Sequence, residues 1–162
     1  MKGAIKMTLK TTMQLSAKNQ IKGTVVGVKE GPVDAIVTLE IAEDNLITAI
    51  IPVEAVERLG LTVGIPAYAI VSSFVVMLSI DPTEKISTKN QLKGTVVRIK
   101  TGNVNANVEM DIGGNNIINA TIPVDAIERL GLNVGDTAYA IASAYIVMLG
   151  VDPTELVMDF GH

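Results

Sequence analysis

Apolar and polar residues alternate along much of the chain, and this pattern predicts β-structure. Residues 20–29 alternate around Ile21, Val25 and Val28, and residues 33–41 alternate strictly. A period of two residues is typical of strands that bury one face. In the first half of the chain, strands are predicted over residues 20–29, 33–41, 46–51, 67–71 and 74–80.

The period changes between the third and fourth of these strands, where the sequence predicts a short helix. Val53, Val56 and Leu59 fall on one helical face. Pro52 suits a first helical position, and Gly60 suits the residue that follows the last turn. Five short strands with one small helix between the third and fourth are typical of an OB-like barrel.

The whole pattern occurs twice. Ser16–Gly23 returns as Ser87–Gly94, 71 residues later, and residues 16–84 align with residues 87–155 without a gap. This period exceeds the ~20–50 residues of solenoid repeats, so each copy is expected to be a small domain. The predicted fold class is all-β with one short helix per repeat, as two tandem OB-like five-stranded barrels. The predicted parts are an extension over residues 1–14, domains over 15–84 and 85–155, and a tail over 156–162.

Composition narrows the classes of function. The chain has no Cys, and its single His is His162, so thiol chemistry and a Ser-His-Asp triad inside a domain are excluded. A net charge of −4 and 3% aromatic residues argue against binding of nucleic acid by a basic, aromatic groove. No apolar run reaches the ~20 residues that span a membrane, and the opening residues lack the apolar core of a signal peptide. We therefore expect a cytoplasmic, non-enzymatic protein with no membrane partner.

Candidate binding chemistry lies in a donor cluster that precedes the first predicted strand of each copy. Within four positions the cluster combines a hydroxyl, an ammonium group and an amide, all of which donate hydrogen bonds to anions. A solvated polar approach to a strand is the alternative interpretation. The cluster residues are Ser16, Lys18 and Asn19 in the first copy and Ser87, Lys89 and Asn90 in the second.

Two other segments of each copy are further candidates for binding. Small residues follow the fourth predicted strand at Ser72-Ser73 and at Ser143-Ala144, where the residues alone favour a kink between strands. A Gly-x-Val-x-Ala turn occurs at residues 31–35 and 102–106, and ordinary hairpin chemistry explains it.

Together these segments resemble the molbindin (Mop) domain of molybdate transporters and regulators. Ser-Ala-Lys-Asn-Gln-Ile-Lys-Gly is similar to the Ser-Ala-Arg-Asn-Gln start of that domain, and the Gly-x-Val-x-Ala and Leu-Gly-Leu-x-x-Gly-x-x-Ala turns also match. The resemblance covers residues 15–81 and 86–152. It implies a cytoplasmic protein that binds molybdate or tungstate at domain and subunit interfaces, as a homotrimer with six Mop domains.

The resemblance also implies which residues hold the oxyanion. The donor cluster of each copy would bind from one domain, and Ser72 and Ser143 would donate from the facing domain. Asn105 would lie near a second class of site on a threefold axis, and Asp34, which would repel an anion, replaces it in the first copy. The implied set is Ser16, Ala17, Lys18, Asn19, Ser72, Ser73, Ser87, Thr88, Lys89, Asn90, Val104, Asn105, Ser143 and Ala144.

Two departures from the family pattern concern charge. Lys18 and Lys89 stand where the family has Arg, which keeps the charge but loses a bidentate fork. Val71 and Ala142 stand where the family has a second cation. These changes predict weaker binding, a preference for tungstate, or greater reliance on neutral donors and backbone amides.

The predicted function is therefore storage and homeostasis of molybdate or tungstate. Such an oxyanion carries no proton at neutral pH, so its site needs donors and no acceptors. An oxyanion-sensing regulatory subunit is an alternative, and it would need a partner because no DNA-binding or ATPase segment is evident. A nucleic-acid-binding OB protein is a weaker alternative, and binding of the pterin cofactor is disfavoured because no aromatic slot is evident.

Overall fold

A computed structural model describes residues 15–82 and 84–152. The extension predicted over residues 1–14 and the tail predicted over residues 156–162 lie outside the described residues. Within the described part, ten strands form two five-stranded antiparallel sheets. The strands are β1 (Asn19–Glu30), β2 (Asp34–Ala42), β3 (Asn45–Pro52), β4 (Pro66–Val71), β5 (Met77–Ser79), β6 (Gln91–Thr101), β7 (Asn105–Gly113), β8 (Asn116–Pro123), β9 (Thr137–Ile141) and β10 (Met148–Gly150). The helices are α1 (Val53–Leu59), a 3-10 helix (Ser73–Val75) and α2 (Val124–Leu130).

Each sheet curls around an aliphatic core that follows the predicted alternation. On β2 every second residue from Ala35 to Ile41 is buried, and the residues between them face outward. On β7 the same holds from Ala106 to Ile112. The predicted all-β class with one short α-helix per repeat is confirmed.

The two sheets exchange their last strands. The first sheet has the order β10-β4-β1-β2-β3, and the second has the order β5-β9-β6-β7-β8. Met148 pairs with Ile70 in the first sheet, and Met77 pairs with Ile141 in the second. Each sheet is therefore completed by the last strand of the other repeat.

The fifth strand is shorter than the predicted span of residues 74–80. Ser73–Val75 forms a 3-10 helix, and the strand occupies only Met77–Ser79. The Phe74 N–H donates to the Ser72 hydroxyl at 3.2 Å, and this local bond favours a turn over an extended chain. The corresponding residues of the second repeat make the same bond at 3.2 Å.

Helix α1 ends where the sequence predicts. Gly60 adopts φ 67°, and its N–H points to the carbonyls of the last turn. Pro52 lies one residue outside the helix, at the N-cap, instead of beginning it. On the exposed face, a hydrogen bond from Arg58 lowers the pKa of the Glu54 carboxyl below its usual range.

Buried asparagines join the two repeats by binding backbone groups across the contact. The Asn45 side chain accepts from the Lys93 N–H at 2.9 Å and donates to the Lys93 and Ile112 carbonyls at 2.8 and 2.7 Å. Asn116 accepts from the Lys22 N–H at 3.1 Å and donates to the Lys22 carbonyl at 2.9 Å. We call the following four residues the cross-repeat asparagines: Asn19, Asn45, Asn90 and Asn116.

Replacing Asn45 with alanine tests the contribution of this contact. We expect Asn45→Ala to lower the free energy of unfolding by about 2–4 kcal/mol, because buried backbone groups of Lys93 and Ile112 lose their partners. Urea denaturation measures the change. Asn103→Ala, at an exposed position, is the control and should stay within about 0.5 kcal/mol of the parent. Equal unfolding midpoints for the two variants would contradict this role.

Candidate functional site

The donor cluster of the second repeat lies beside the end of β9. Gln91 pairs with Ile141 in the antiparallel ladder, so the residues before β6 run alongside those after β9. The Thr88 hydroxyl donates to the Ala142 carbonyl at 2.9 Å, and the Ala142 N–H donates to the Asn90 carbonyl at 3.2 Å. Strand pairing thus brings two segments that are far apart in sequence into one surface.

This placement concerns one expectation from the resemblance, which implied that Ser72 and Ser143 face the donor clusters from the other domain. Within the chain, each serine lies next to the cluster of its own repeat, because Asn19 pairs with Val71 and Gln91 with Ile141. Donation from a facing domain stays a prediction.

The opposite wall of this surface comes from the first repeat. The Asn90 side chain accepts from the Thr48 N–H and donates to the Thr48 carbonyl, both at 2.8 Å. Next to this pair, the Ile50 N–H donates to the Ala144 carbonyl at 3.0 Å. We call the contact of residues 87–90 and 143–145 with β2 and β3 the second seam.

A cavity of about 540 Å³ lies at the second seam. Hydroxyl, ammonium and amide groups line one part of it, aliphatic and aromatic groups line the rest, and none of the lining residues is acidic. Such a donor-rich, acid-free cavity can hold an anion. Its lining residues are Ile36, Thr48, Ile50, Ser87, Thr88, Lys89, Asn90, Ser143, Ala144 and Tyr145.

The first seam is the corresponding contact of residues 16–19 and 72–74 with β7 and β8. The Asn19 side chain accepts from the Asn119 N–H at 2.7 Å and donates to the Asn119 carbonyl at 2.8 Å. The hydroxyls of Ser73 and Thr121 are hydrogen-bonded across this seam at 2.9 Å. The two seams are therefore related by the repeat.

The residues of each donor cluster divide into two kinds. Asn19 and Asn90 are buried, and their side chains hold the facing backbone. The neighbouring Ser16 and Lys18 are exposed, as are Ser87 and Lys89, whereas Ala17 and Thr88 are half-buried. The geometry gives the asparagines a positioning role and leaves the serine and lysine side chains accessible to a ligand.

Val104 and Asn105 lie elsewhere, where the turn leads into β7. Both are exposed, and neither lines the second-seam cavity. The Val104 carbonyl accepts from the Val124 N–H at 2.9 Å, which fixes the turn against α2. A separate oxyanion site at this turn stays a prediction, and Asp34 is exposed at the matching position of the first repeat.

Sequence reasoning missed the far walls of both seams. These walls consist of outward-facing residues in the middle of strands, and no local motif marks such positions. The residues are Ile36, Thr48 and Ile50 at the second seam and Asn107, Asn119 and Thr121 at the first. Once the wall residues of one seam are known, adding or subtracting the 71-residue displacement of the repeats gives the wall residues of the other seam.

The described residues show neither a cation-binding cluster nor a membrane-spanning helix. Within residues 15–82 and 84–152, no three or more His, Cys, Asp or Glu side chains are grouped so that they could hold a metal cation. In the same part of the chain, no helix combines the length and apolarity needed to cross a membrane.

The exchanged sheets, with a donor cluster at each seam, define a tandem of small β-units. Residues 15–78 and 86–149 each match the family described as the TOBE domain. The chain belongs to the TOBE domain family and contains two copies of the domain.

Curated relatives support this assignment. The chain is 38% identical over 141 residues to the molybdenum transport protein ModE of Herbaspirillum seropedicae. This alignment covers 86% of the chain and 52% of that protein. The chain is also 53% identical over 68 residues to a probable molybdenum-pterin-binding protein of Haemophilus influenzae. That alignment covers 42% of the chain and 99% of the relative. The chain thus spans about half the length of the ModE protein.

A solved structure matches nearly the whole tandem. The chain resembles the cytoplasmic molybdate-binding protein ModG, in a form with molybdate bound, with 36% sequence identity and a TM-score of 0.79. The match covers 86% of this chain and 99% of ModG. The Mop-type resemblance and the tandem fold are confirmed.

The buried amide of Asn90 provides a test of the second seam. We expect Asn90→Asp to lower the free energy of unfolding by about 3 kcal/mol or more near pH 7. A side chain that is 2% exposed would become a carboxylate, which keeps the bond from the Thr48 N–H but can no longer donate to the Thr48 carbonyl and repels it. Burial would raise the pKa of the new carboxyl, so the loss should shrink as pH falls toward about pH 4 and the group takes up a proton.

Urea unfolding across this pH range measures both effects. Lys89→Gln, at the exposed neighbouring position, is the control and should remain within about 0.5 kcal/mol of the parent. A pH-independent difference between Asn90→Asp and the parent would argue against a buried charge at this position.

Proposed function

We propose that this chain binds molybdate or tungstate at its seams and stores the oxyanion in the cytoplasm without catalysing a reaction. The observation that carries the proposal is the cavity of the second seam, where Ser87, Lys89 and Ser143 come together between the two repeats. By the repeat relation, Ser16, Lys18 and Ser72 occupy the corresponding positions at the first seam.

The chemistry of the seam suits a proton-free tetrahedral dianion. Such an anion accepts hydrogen bonds from hydroxyl, ammonium and amide groups, and a carboxylate would repel it. None of the residues lining the second-seam cavity is acidic. The partly buried position strengthens each bond because water screens it less. Serine hydroxyls and backbone amides would then offset the cation that is missing at Val71 and Ala142.

The relatives support the choice of anion and of compartment. ModG is a cytoplasmic molybdate-binding protein, and its structure contains molybdate. The two curated relatives are also named for molybdenum. These names support a molybdenum oxyanion over sulfate, which has the same charge and shape but is smaller.

A second candidate is an oxyanion-sensing module of a larger assembly. The match to ModE supports it, since that relative is a molybdenum transport protein about twice as long as the matched region. Co-purification of a partner that changes when molybdate is added would favour sensing, whereas anion binding without a partner favours storage.

Calorimetric titration with molybdate, tungstate and sulfate tests the proposal. We expect molybdate or tungstate to bind much more tightly than sulfate. Ser87→Ala and Lys89→Ala should each weaken binding by about tenfold or more, because each removes a bond to a charged ligand. Lys100→Ala, on an exposed part of β6 outside the seam cavity, should leave the affinity unchanged. Equal binding of sulfate, or no binding of any of the three anions, would refute the proposal.

We also infer that the chain assembles as a homotrimer of six domains. Large apolar side chains are exposed at matching positions of both repeats, including Val33 and Val104 at 71% and 72% and Phe74 and Tyr145 at 70% and 75%. Exposed apolar surface of this kind marks association, and its occurrence in both repeats suits a ring in which every domain has the same neighbours.

Native mass spectrometry tests the assembly and the anion together. The expected mass is that of three chains, with further increments when tungstate is added. Replacing Val33 and Val104 by Asp together should shift the distribution toward single chains, because the apolar contact would carry charge. A parent protein that stays a single chain at all concentrations would contradict the trimer.

A further inference from the structure

The two seams of the chain use the same positions but carry different residues. At the second seam the far wall and the adjacent loop present Ile36, Ile50 and Ala144. At positions 71 residues away, the first seam presents Asn107, Thr121 and Ser73. Three apolar side chains at one seam are thus replaced by one carboxamide and two hydroxyls at the other.

The backbone geometry that holds these residues is equivalent. The Asn19 side chain pairs with both backbone groups of Asn119 at 2.7–2.8 Å, and the Asn90 side chain pairs with both backbone groups of Thr48 at 2.8 Å. Residues on either side of these pairs therefore occupy corresponding places, and the difference between the seams lies in their side chains.

Hydrogen bonding at the first seam leaves a donor available. The Asn107 amide donates to the Thr121 hydroxyl oxygen at 3.5 Å, and the Thr121 and Ser73 hydroxyls lie 2.9 Å apart. Two hydroxyls have two hydrogens and use one between them, so one hydrogen remains for a ligand. The Asn107 amide has a second N–H, and the Asn119 carboxamide is half-buried on the same face of the sheet.

Acidic side chains are placed differently at the two seams. The outward face of β2 carries Asp34 and Glu40, and the outward face of β7 carries Glu109 and Asp111. Glu109 lies opposite Asn119 in the β7–β8 ladder, where the second seam has Thr38 opposite Thr48. The Arg98 guanidinium lies 3.7 Å from Glu109 and offsets its charge, so the neutral donors are the difference that favours the first seam.

We propose that the two seams are unequal oxyanion sites, with the first seam the tighter one, and that Ser73, Asn107 and Thr121 set its higher affinity. This inference rests on the proposed function. At the second seam an anion loses water against Ile36, Ile50 and Ala144 without gaining bonds in return. At the first seam the same positions donate, and each additional bond to a dianion is worth about a tenfold change in affinity.

Reciprocal exchange of residues between the seams tests this inference. The double variant Ser73→Ala/Thr121→Ile gives the first seam the residues of the second, and Ile50→Thr/Ala144→Ser does the reverse. Each new residue already occupies the corresponding place in the other repeat, so both variants should fold, and their urea midpoints verify this. Both are titrated calorimetrically with molybdate beside the parent protein.

The parent should show two classes of seam sites, equal in number and differing in affinity by about tenfold or more. Ser73→Ala/Thr121→Ile should move the tighter class to the weaker one, and Ile50→Thr/Ala144→Ser should strengthen the weaker class. A single class of site in the parent, or unchanged affinities in both folded variants, overturns the inference while leaving the proposed function intact. Absence of molybdate binding by the parent is the separate result that refutes the proposed function.

Discussion

A carboxamide can take the place of a strand neighbour, because its carbonyl and N–H groups match the spacing of a peptide group. The cross-repeat asparagines use this property at four of the places where the two repeats meet. Asn45 and Asn116, at the β2–β3 and β7–β8 hairpin turns, bind backbone groups of β6 and β1. Asn19 and Asn90 each bind the N–H and carbonyl of one residue, in β8 and β3 respectively. The seams are held in register by these bonds, and the proposed binding residues sit directly beside them.

The sequence predicted the local structure well because its signals are local. Alternating apolar residues located the strands, and Gly60 ended α1 at a positive φ. The Gly113–Asn116 hairpin also agrees with its sequence, since Gly114 and Asn115 adopt φ values of 63° and 64°. These features depend on side chains within a few positions of each other, so a single sequence reveals them.

The exchange of the last strands could not be predicted in this way. Met77-Leu78-Ser79 and Met148-Leu149-Gly150 are nearly the same sequence, and β4 and β9 offer them nearly the same edge. Either strand suits either sheet, so the local sequence does not decide between the two pairings. The candidate site divides similarly: the donor clusters are local motifs, whereas the far walls are strand positions that only the tertiary contact distinguishes.

Strand exchange also ties the folding of the first sheet to the very end of the described chain. While the protein is being synthesised, β4 lacks its final partner strand until residues 148–150 leave the ribosome. An unpaired edge can join the strand of another chain. A nascent first repeat is thus open to pairing with the fifth strand of a neighbouring copy. Covalent linkage of two repeats makes the correct partner strand part of the same molecule.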